Sequence, residues 1–238
     1  MVADMDNKTE LFIDKYKSLE SLIDAEYDLP NDESAVSYIL RKPEYRSVKS
    51  ELDYCRQVRN LLSHNPKIDR RYSVEPSDAM IALLEQTIER IRNPQRAKHI
   101  LIPIAKVSCR TMDNFVLPAM REMNEKVYTH IPILRDGIVE GVFSENTLLS
   151  YLSDDEIVSI DGSVKFADIA EYLPLEKHRS EFFRFIDADM LVSKIADEFA
   201  DAVKNQDRIG LMFVTANGKK TEKLLGIISP WDVAGIHC

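Results

Sequence analysis

The 238-residue sequence has few cysteines and no signal-like apolar stretch at its start. Cys55, Cys109 and Cys238 are scattered, odd in number and without paired spacing, which argues against a disulfide framework and against a zinc site. Near the amino terminus the apolar run is only Leu11-Phe12-Ile13, with acidic residues on both sides, so neither a signal peptide nor a membrane span is predicted. We therefore expect a cytoplasmic protein whose thiols are reduced.

Several easily recognised catalytic signatures are also missing. The segment Gly218-Lys219-Lys220-Thr221 lacks the earlier glycine of a phosphate-binding loop. No Ser-His-Asp or Cys-His triad is discernible, and His and acidic residues do not cluster at metal-ligand spacing. The sequence therefore predicts neither a metal site nor a classical nucleotide hydrolase.

The charge is unevenly distributed along the chain. A net charge of −9 disfavours a general nucleic-acid coat, because phosphate binding needs positive potential. Residues 1–33 hold three Lys against ten Asp and Glu, whereas residues 41–71 hold nine Lys and Arg against four acids. Positive charge is thus concentrated in one part of the first 95 residues.

Helical patterns fill this first part. Apolar residues recur at helical spacing in four segments, residues 6–26, 33–41, 48–62 and 76–91. The segments end at proline-containing pairs such as Lys42-Pro43, Asn65-Pro66 and Asn93-Pro94. Residues 1–95 are therefore predicted to form an antiparallel helical bundle.

The remaining residues contain an internal repeat. The first copy, about 97–153, has a strand near 128–134, a turn at Arg135-Asp136-Gly137, a second strand at 138–143 and a helix start at 144–147. The second copy, about 164–238, has a strand at 209–214, a tight hairpin signalled by Asn217-Gly218, a strand at 224–228 and a helix start at 229–232. Two units too small to bury their own apolar faces should pack together and leave a cleft for a ligand. The predicted fold class is α+β, an all-α bundle followed by an α/β pair.

The repeat resembles a tandem pair of CBS domains, the adenosine-sensing module named after cystathionine β-synthase. The likeness is carried by residues 130–134 (HIPIL) with 141–144 (GVFS), and by residues 225–232 (LGIISPWD). In that family a Ser or Thr, two variable residues and an Asp follow the last strand, and the Asp carboxylate accepts hydrogen bonds from ribose hydroxyls. Ser229 and Asp232 match this pattern.

The chemistry of Ser229 and Asp232 suits either of two roles. A carboxylate can accept two hydroxyl protons at once, and a helix start offers free N–H groups to a phosphate. The same residues also form a capping box that needs no ligand, with Ser229 as the N-cap, Pro230 as the first helical residue and Asp232 as the third.

The sequence departs from the family pattern at two places. Thr147 stands in the first copy where the ribose-binding Asp would be, which implies a weak or empty site there. Phe213 takes the place in the second copy that Pro132 has in the first.

Three further residues complete the candidate ligand site of the second copy. Ile209 and Leu211 could flank a purine, although apolar strand residues are commonly core. Arg208 could reach a phosphate, although a lone charge at a strand edge is commonly solvated. The candidate ligand-binding residues are Ser229, Asp232, Ile209, Leu211 and Arg208.

Residues 59–64 (RNLLSH) resemble the signature of HEPN domains. The resemblance extends over about residues 5–95. Catalytic HEPN members are metal-independent endoribonucleases that dimerise with their motifs facing each other across a cleft. The resemblance implies that His64 transfers a proton, Arg59 binds phosphoryl oxygens and Asn60 orients either partner. The helix dipole also favours Arg and His near a helix end, so a plain surface role is the alternative.

Together these features predict a cytoplasmic, homodimeric regulatory protein without a cofactor. The CBS-like pair would bind AMP, ADP, ATP or S-adenosylmethionine as a regulatory ligand and control a HEPN-like domain that acts on RNA. Such control requires the ligand to bind two states unequally. The alternatives are a non-catalytic adaptor whose bundle serves docking or dimerisation, and a structural pair with an empty cleft.

Overall fold

The computed structural model describes residues 2–27, 29, 33–64, 72, 74–154 and 160–234. The chain divides into two compact units, one that extends to Pro94 and one that begins at Gln95. In the described residues the first unit contains helices alone, and the second mixes helices with strands. This agrees with the expected α+β class.

The helical unit has four described α-helices and one 3₁₀ helix. They are α1 (Val2–Glu26), α2 (Ala35–Ile39), the 3₁₀ helix (Pro43–Val48), α3 (Lys49–His64) and α4 (Asp78–Arg92). Ser77 caps α4 by accepting the Met80 N–H at 3.3 Å. The predicted stop at Asn65-Pro66 lies outside the described residues.

One apolar face of α1 forms much of the core of this unit. Its buried side chains are Phe12, Tyr16, Leu19 and Ile23. Leu52 and Cys55 of α3 and Leu84 of α4 belong to the same cluster. On the polar side Lys15 of α1 pairs with Glu85 of α4 at 2.8 Å. Apolar residues at helical spacing thus position the helices, as the sequence predicts.

Besides three 3₁₀ helices at Ile104–Lys106, Phe166–Tyr172 and Leu175–Lys177, the α/β unit contains eleven described α-helices and β-strands. In chain order they are α5 (Ala97–Ile100), β1 (Ile102–Pro103), α6 (Val116–Lys126), β2 (His130–Arg135), β3 (Ile138–Ser144), α7 (Glu145–Asp154), β4 (Phe182–Asp187), α8 (Val192–Lys204), β5 (Ile209–Thr215), β6 (Gly226–Ile228) and α9 (Pro230–Ala234). Strands β2 and β3 pair as an antiparallel hairpin, and the other sheet has the order β1-β6-β5-β4. Strand β4 is parallel to β5, and the other pairs in this sheet are antiparallel.

The two predicted hairpins differ in the structure. Asp136 and Gly137 have φ of 53° and 84°, as a tight turn between β2 and β3 requires. In the second copy the prediction of a tight hairpin at Asn217-Gly218 is wrong, because residues 216–225 separate β5 from β6. The Glu222 carboxylate closes this longer loop by accepting the backbone N–H and the side-chain amide of Asn217, both at 2.8 Å.

The first residues of each copy, which we call its leading segment, are hydrogen-bonded to the other copy, so the two copies exchange their leading segments. Before the first copy's α/β core, the N–H groups of Ala97 and Lys98 donate to the carbonyls of Met190 and Ala188 in the second copy, both at 2.8 Å. Val192 N–H returns a bond to the Gln95 carbonyl at 2.9 Å. Each bond thus joins chain segments that are far apart in sequence.

Three equivalent bonds join the leading segment of the second copy to the first copy. The N–H groups of Phe166 and Ala167, which lead into the second copy, donate to the carbonyls of Asn114 and Met112 at 3.0 and 2.9 Å. Val116 N–H donates in return to the Val164 carbonyl at 2.9 Å. This reciprocity is the signature of two related halves that pack around a pseudo-twofold axis.

Apolar side chains from both copies fill the space between their sheets. Val139 and Val142 of the first copy share one buried cluster with Leu211, Phe213 and Ile227 of the second. Burial of this shared face stabilises the pair. Two equivalent positions, after β3 in the first copy and after β6 in the second, form the candidate site.

Candidate functional site

Two equivalent sites lie where the last strand of each copy meets its following helix. We call the residues around Ser144 and Thr147 the first half-site, and those around Ser229 and Asp232 the second half-site. Pairing of His130 with Ser144, and of Met212 with Ile228, sets the two hairpins in related registers. The half-sites can therefore be compared residue by residue.

In the second half-site a carboxylate caps the start of α9. Ser229 donates its backbone N–H and its hydroxyl to Asp232 Oδ2, at 2.7 and 2.6 Å. Both bonds use the same oxygen, and in the described part of the chain Oδ1 has no hydrogen-bond partner. Ser229 and Asp232 are both partly exposed. The capping interaction is therefore present, and one carboxylate oxygen remains available to a ligand.

In the first half-site the same cap is made by a hydroxyl. Thr147 Oγ1 accepts the Ser144 N–H at 3.0 Å, as Asp232 accepts that of Ser229. This confirms the correspondence of Thr147 with Asp232 within the repeat. Ser144 and Thr147 are only 1% and 2% exposed, so both side chains are buried. Ser144 also lines a cavity of about 280 Å³, together with residues of the ranges 120–129 and 143–148.

A buried carboxylate from the segment before β4 fills the first half-site. Glu181 Oε1 accepts hydrogen bonds from the Ser144 hydroxyl at 2.7 Å and from His178 Nδ1 at 3.1 Å. Its Oε2 accepts one from His130 Nε2 at 2.8 Å. Glu181 is 1% exposed, so both of its oxygens are used and neither faces water.

The charge of Glu181 is sustained by these neighbours. Burial raises the pKa of its carboxyl, but hydrogen bonds from His130, His178 and Ser144 outweigh this and hold the pKa well below its ordinary value. We call Glu181, His130, His178 and Ser144 the Glu181 cluster. Protein interiors tolerate a buried carboxylate when its oxygens accept hydrogen bonds, as both oxygens of Glu181 do.

The other candidate residues of the second half-site do not converge on one ligand face. Ile209 lies in the cluster that contains Ile195 of α8 and Val233 of α9, whereas Leu211 faces the first copy. An irregularity in the pairing of β4 with β5 at Gly210 separates them. Only one of the two can therefore contact any one purine, and Leu211, on the side shared by the copies, is the better placed.

Arg208 and Phe213 have different environments. Arg208 is exposed and makes no ion pair with another described residue. Phe213 is fully buried and pairs with Ile227 as Pro132 pairs with Val142, so the predicted equivalence of Phe213 and Pro132 holds. A bulky ring therefore occupies the position where the first copy has proline.

In the helical unit, Arg59, Asn60 and His64 all lie on α3. Arg59 forms an ion pair with Glu20 at 3.2 Å, and its guanidinium lies 5.5 Å from the centre of the Tyr16 ring. It also donates to Asn60 Oδ1 at 3.3 Å. His64 is exposed at the end of the helix. Arg59 is thus held within its own unit, and His64 faces solvent.

Metal and thiol chemistry are not indicated by the described residues. No group of three or more His, Cys, Asp and Glu among them is arranged to hold a metal ion. Burial raises the pKa of both the Cys55 and the Cys109 thiol to about 11, so both are protonated and unreactive near neutral pH.

Sequence reasoning missed the Glu181 cluster altogether. Glu181 lies 51 positions from His130 and 37 from Ser144, so no local motif contains these residues. The available signal was the pair His178 and Glu181 directly before an apolar strand, where a charged residue is unusual. That signal alone does not reveal the partners in the other copy.

No family model matches the sequence, and no curated protein matches it. Among solved structures, the CBS domain of a putative transporter from Clostridium difficile 630 is 12% identical, with a TM-score of 0.41 over 59% of this chain and 92% of that one. A CBS-domain pair in complex with 5′-methylthioadenosine and S-adenosyl-L-methionine is 14% identical, with a TM-score of 0.41 over 59% and 94%. The protein CBSX2 in complex with AMP is 15% identical, with a TM-score of 0.41 over 58% and 92%.

None of the described helices is long and apolar enough to span a membrane.

Proposed function

We propose that residues 97–238 form a CBS-domain pair and that its second half-site binds an adenosine compound. The observation that carries this proposal is the state of Asp232, whose Oδ2 is fixed by Ser229 while Oδ1 is available at a partly exposed position. A carboxylate held in this way can accept a ribose hydroxyl without reorganisation of its own.

The reciprocal exchange of leading segments supports the same assignment. It places two strand-turn-strand-helix units side by side, with their strand ends and helix starts in equivalent positions. A ligand at the second half-site would contact the start of α9 and the side of β5 that faces the first copy. Leu211 would lie against the base, and Arg208 is the nearest candidate in sequence for a phosphate.

The proposal is tested by titrating the full chain with AMP, ADP, ATP, S-adenosylmethionine and 5′-methylthioadenosine. A one-site ligand at a hundred times its Kd should stabilise the chain by about 2.7 kcal/mol. Asp232→Asn keeps the cap but removes the charge, so affinity should fall roughly 10- to 100-fold, as expected for a lost charged hydrogen bond.

Asp189→Asn is the matched control for this titration. Asp189 is an exposed carboxylate of the same unit and pairs with Lys98 at 2.5 Å. The Asp189→Asn variant should bind the ligand with unchanged affinity. Equal affinity of the Asp232→Asn variant and the parent chain would reject the assignment of the ribose site.

We further propose that the helical unit is a HEPN-like domain that acts on RNA through Arg59, Asn60 and His64. The favouring observation is that His64 is exposed at the end of α3, on the helix that also carries Arg59 and Asn60. RNA cleavage would proceed by attack of a ribose 2′-hydroxyl on its own phosphate, which forms a 2′,3′-cyclic phosphate as the bond to the 5′-oxygen of the next nucleotide breaks. His64 would take the proton from the 2′-hydroxyl or give one to the departing 5′-oxygen. Arg59 would have to break its ion pair with Glu20 before it could bind a phosphate.

His64→Ala tests the nuclease proposal, because an exposed side chain can be removed with little change in stability. RNA cleavage should be abolished while Tm stays the same. His99→Ala, at another exposed histidine, is the control and should cleave normally. A parent chain that binds an adenosine compound but cuts no RNA would instead favour the non-catalytic adaptor.

Regulation would follow if the ligand changed how two chains bring their helical units together in a homodimer. Such coupling requires different affinities for the ligand in the two arrangements. Light scattering of the full chain with and without ligand measures the oligomeric state, and a monomer under both conditions would reject the dimeric form of the proposal.

A further inference from the structure

We infer that Glu181 is a built-in occupant of the first half-site, so that each chain binds one adenosine compound rather than two. The inference rests on the proposed function, since it assigns the single ligand to the second half-site. Glu181 lies outside the motifs that carry the resemblance to CBS domains, and the inference follows from its contacts.

Glu181 supplies the carboxylate that accepts the hydroxyl of the strand-end serine, which Thr147 at the equivalent position cannot supply. In the second half-site the Ser229 hydroxyl donates to the Asp232 carboxylate at 2.6 Å. In the first, the equivalent Ser144 hydroxyl donates to the Glu181 carboxylate at 2.7 Å. A carboxylate is therefore present in both half-sites, but in the first it comes from the segment before β4 and not from the helix start.

The Glu181 carboxylate is largely occupied by donors of the chain itself. Its two oxygens accept three hydrogen bonds, from Ser144, His130 and His178, out of roughly four that a carboxylate can accept. A ribose that donated two hydroxyls to Glu181 would therefore have to displace at least one of these donors. A ligand with a phosphate would also meet the negative charge of Glu181.

On the side of β4 and β5 the packing leaves no room beside the cluster. A Cβ at Gly210 would lie 3.0 Å from His130 Nε2 and 3.2 Å from Glu181 Oε2, so even a methyl group there is crowded. The Phe183 ring packs edge-on against both imidazoles, with centroids 5.8 Å from His130 and 4.9 Å from His178. Strands β4 and β5 thus close the half-site from the second copy.

Removal of the Glu181 side chain should open this space. It would leave two imidazoles and the Ser144 and Thr147 hydroxyls, without the carboxylate that they surround. His178 Nε2 is already buried without a partner in the described chain, so the vacated space would contain unpaired hydrogen-bonding groups beside the Phe183 ring. Glu181→Gln keeps the shape of the side chain and should keep the half-site closed.

The closure is tested without any ligand by modifying histidines of the full chain with diethyl pyrocarbonate and locating the products by mass spectrometry. Exposed His64 and His99 should react, whereas buried His178 should react at least ten times more slowly. Glu181→Ala should accelerate modification of His178 at least tenfold, and Glu181→Gln should not. Modification of His178 in the parent chain at the rate of His99 would overturn the inference, even if the alanine variant fails to fold.

The stoichiometry is tested by calorimetric titration of the full chain with AMP and with S-adenosylmethionine. One molecule should bind per chain, and the binding should weaken at least tenfold in Asp232→Asn. Two molecules per chain, or one molecule whose affinity does not depend on Asp232, would overturn the inference. If neither compound binds, the proposed function fails, and the histidine modification alone then decides whether the half-site is closed.

Discussion

The two half-sites differ in what their carboxylates can still do. Glu181 accepts a hydrogen bond from the Ser144 hydroxyl at 2.7 Å, and Asp232 accepts one from the Ser229 hydroxyl at 2.6 Å. Asp232 retains one oxygen at a partly exposed position, whereas both oxygens of Glu181 are bonded and the residue is 1% exposed. The comparison teaches that free acceptor capacity, and not the presence of a carboxylate, distinguishes a binding position from a structural one.

The difference has a simple origin in the chain. A helix start supplies its own carboxylate at position 232, whereas Thr147 caps α7 with a hydroxyl and leaves the Ser144 hydroxyl to Glu181. The first half-site then serves stability, since its polar groups tie β2 and β3 to the segment before β4. Under the proposed function, stability and binding would thus be divided between two halves of related architecture.

The largest expected effect is the cost of removing the buried carboxylate. Glu181→Ala leaves the buried His178 and the partly buried His130 without their partner and should destabilise the chain by about 3–5 kcal/mol. Asp232→Ala removes only a cap and should cost about 1 kcal/mol. Urea denaturation of the full chain measures both values, and equal costs would erase the distinction between the half-sites.

The next effect concerns the exchanged segments that hold both half-sites together. A Cβ at Gly141 would lie within 2.5 Å of the Leu173 carbonyl oxygen, and one at Gly226 would clash in the same way with the Ile102 carbonyl. Gly141→Ala and Gly226→Ala should each cost about 1–3 kcal/mol through overpacking.

Gly162→Ala is the control for this pair, because nothing lies within 4 Å of a Cβ at that position. It should leave the free energy of unfolding nearly unchanged. If Gly141→Ala and Gly226→Ala behaved like Gly162→Ala, the reciprocal packing of the copies would be wrong.

A smaller effect is expected in the dependence of stability on pH. Because the folded-state pKa of Glu181 is lowered from the ordinary 4.5, its contribution is fully present above that value and is lost as the pH falls toward the folded-state pKa. The gap in unfolding free energy between the parent chain and Glu181→Gln should therefore narrow between about pH 5 and about pH 3, by at most about 1.4 kcal/mol per pH unit. A gap that widens on acidification would contradict the assignment.

The smallest effect is predicted for Asp232→Asn. An amide caps a helix nearly as well as a carboxylate, so the free energy of unfolding should change by less than about 0.5 kcal/mol. A loss of several kcal/mol, measured by urea denaturation, would show that Asp232 is structural in the way that Glu181 is.

Local patterns predicted much of this fold. The helices of the first unit and the hairpin at Asp136-Gly137 follow from periodicity and turn chemistry within a few residues. The tight hairpin at Asn217-Gly218 was wrong because Glu222 and the residues around it extend the loop. Turn residues indicate that the chain reverses, but not how many residues the reversal takes.

The sites were predicted only where their residues are neighbours in sequence. Ser229 and Asp232 are three positions apart, and their capping bond is present as expected. The Glu181 cluster and the exchanged segments depend on bonds between distant positions, which periodicity and motif spacing cannot indicate. For the same reason the sequence placed Ile209 and Leu211 together, although an irregularity at Gly210 turns them to opposite faces.

The most direct test of the central claim is a crystal structure of the full chain with the adenosine compound that binds it most tightly. We predict one ligand per chain, with a ribose hydroxyl in hydrogen-bond distance of Asp232 Oδ1 and with Glu181 still bonded to His130 and Ser144. A ligand in the first half-site, with Glu181 displaced from Ser144, would contradict the account.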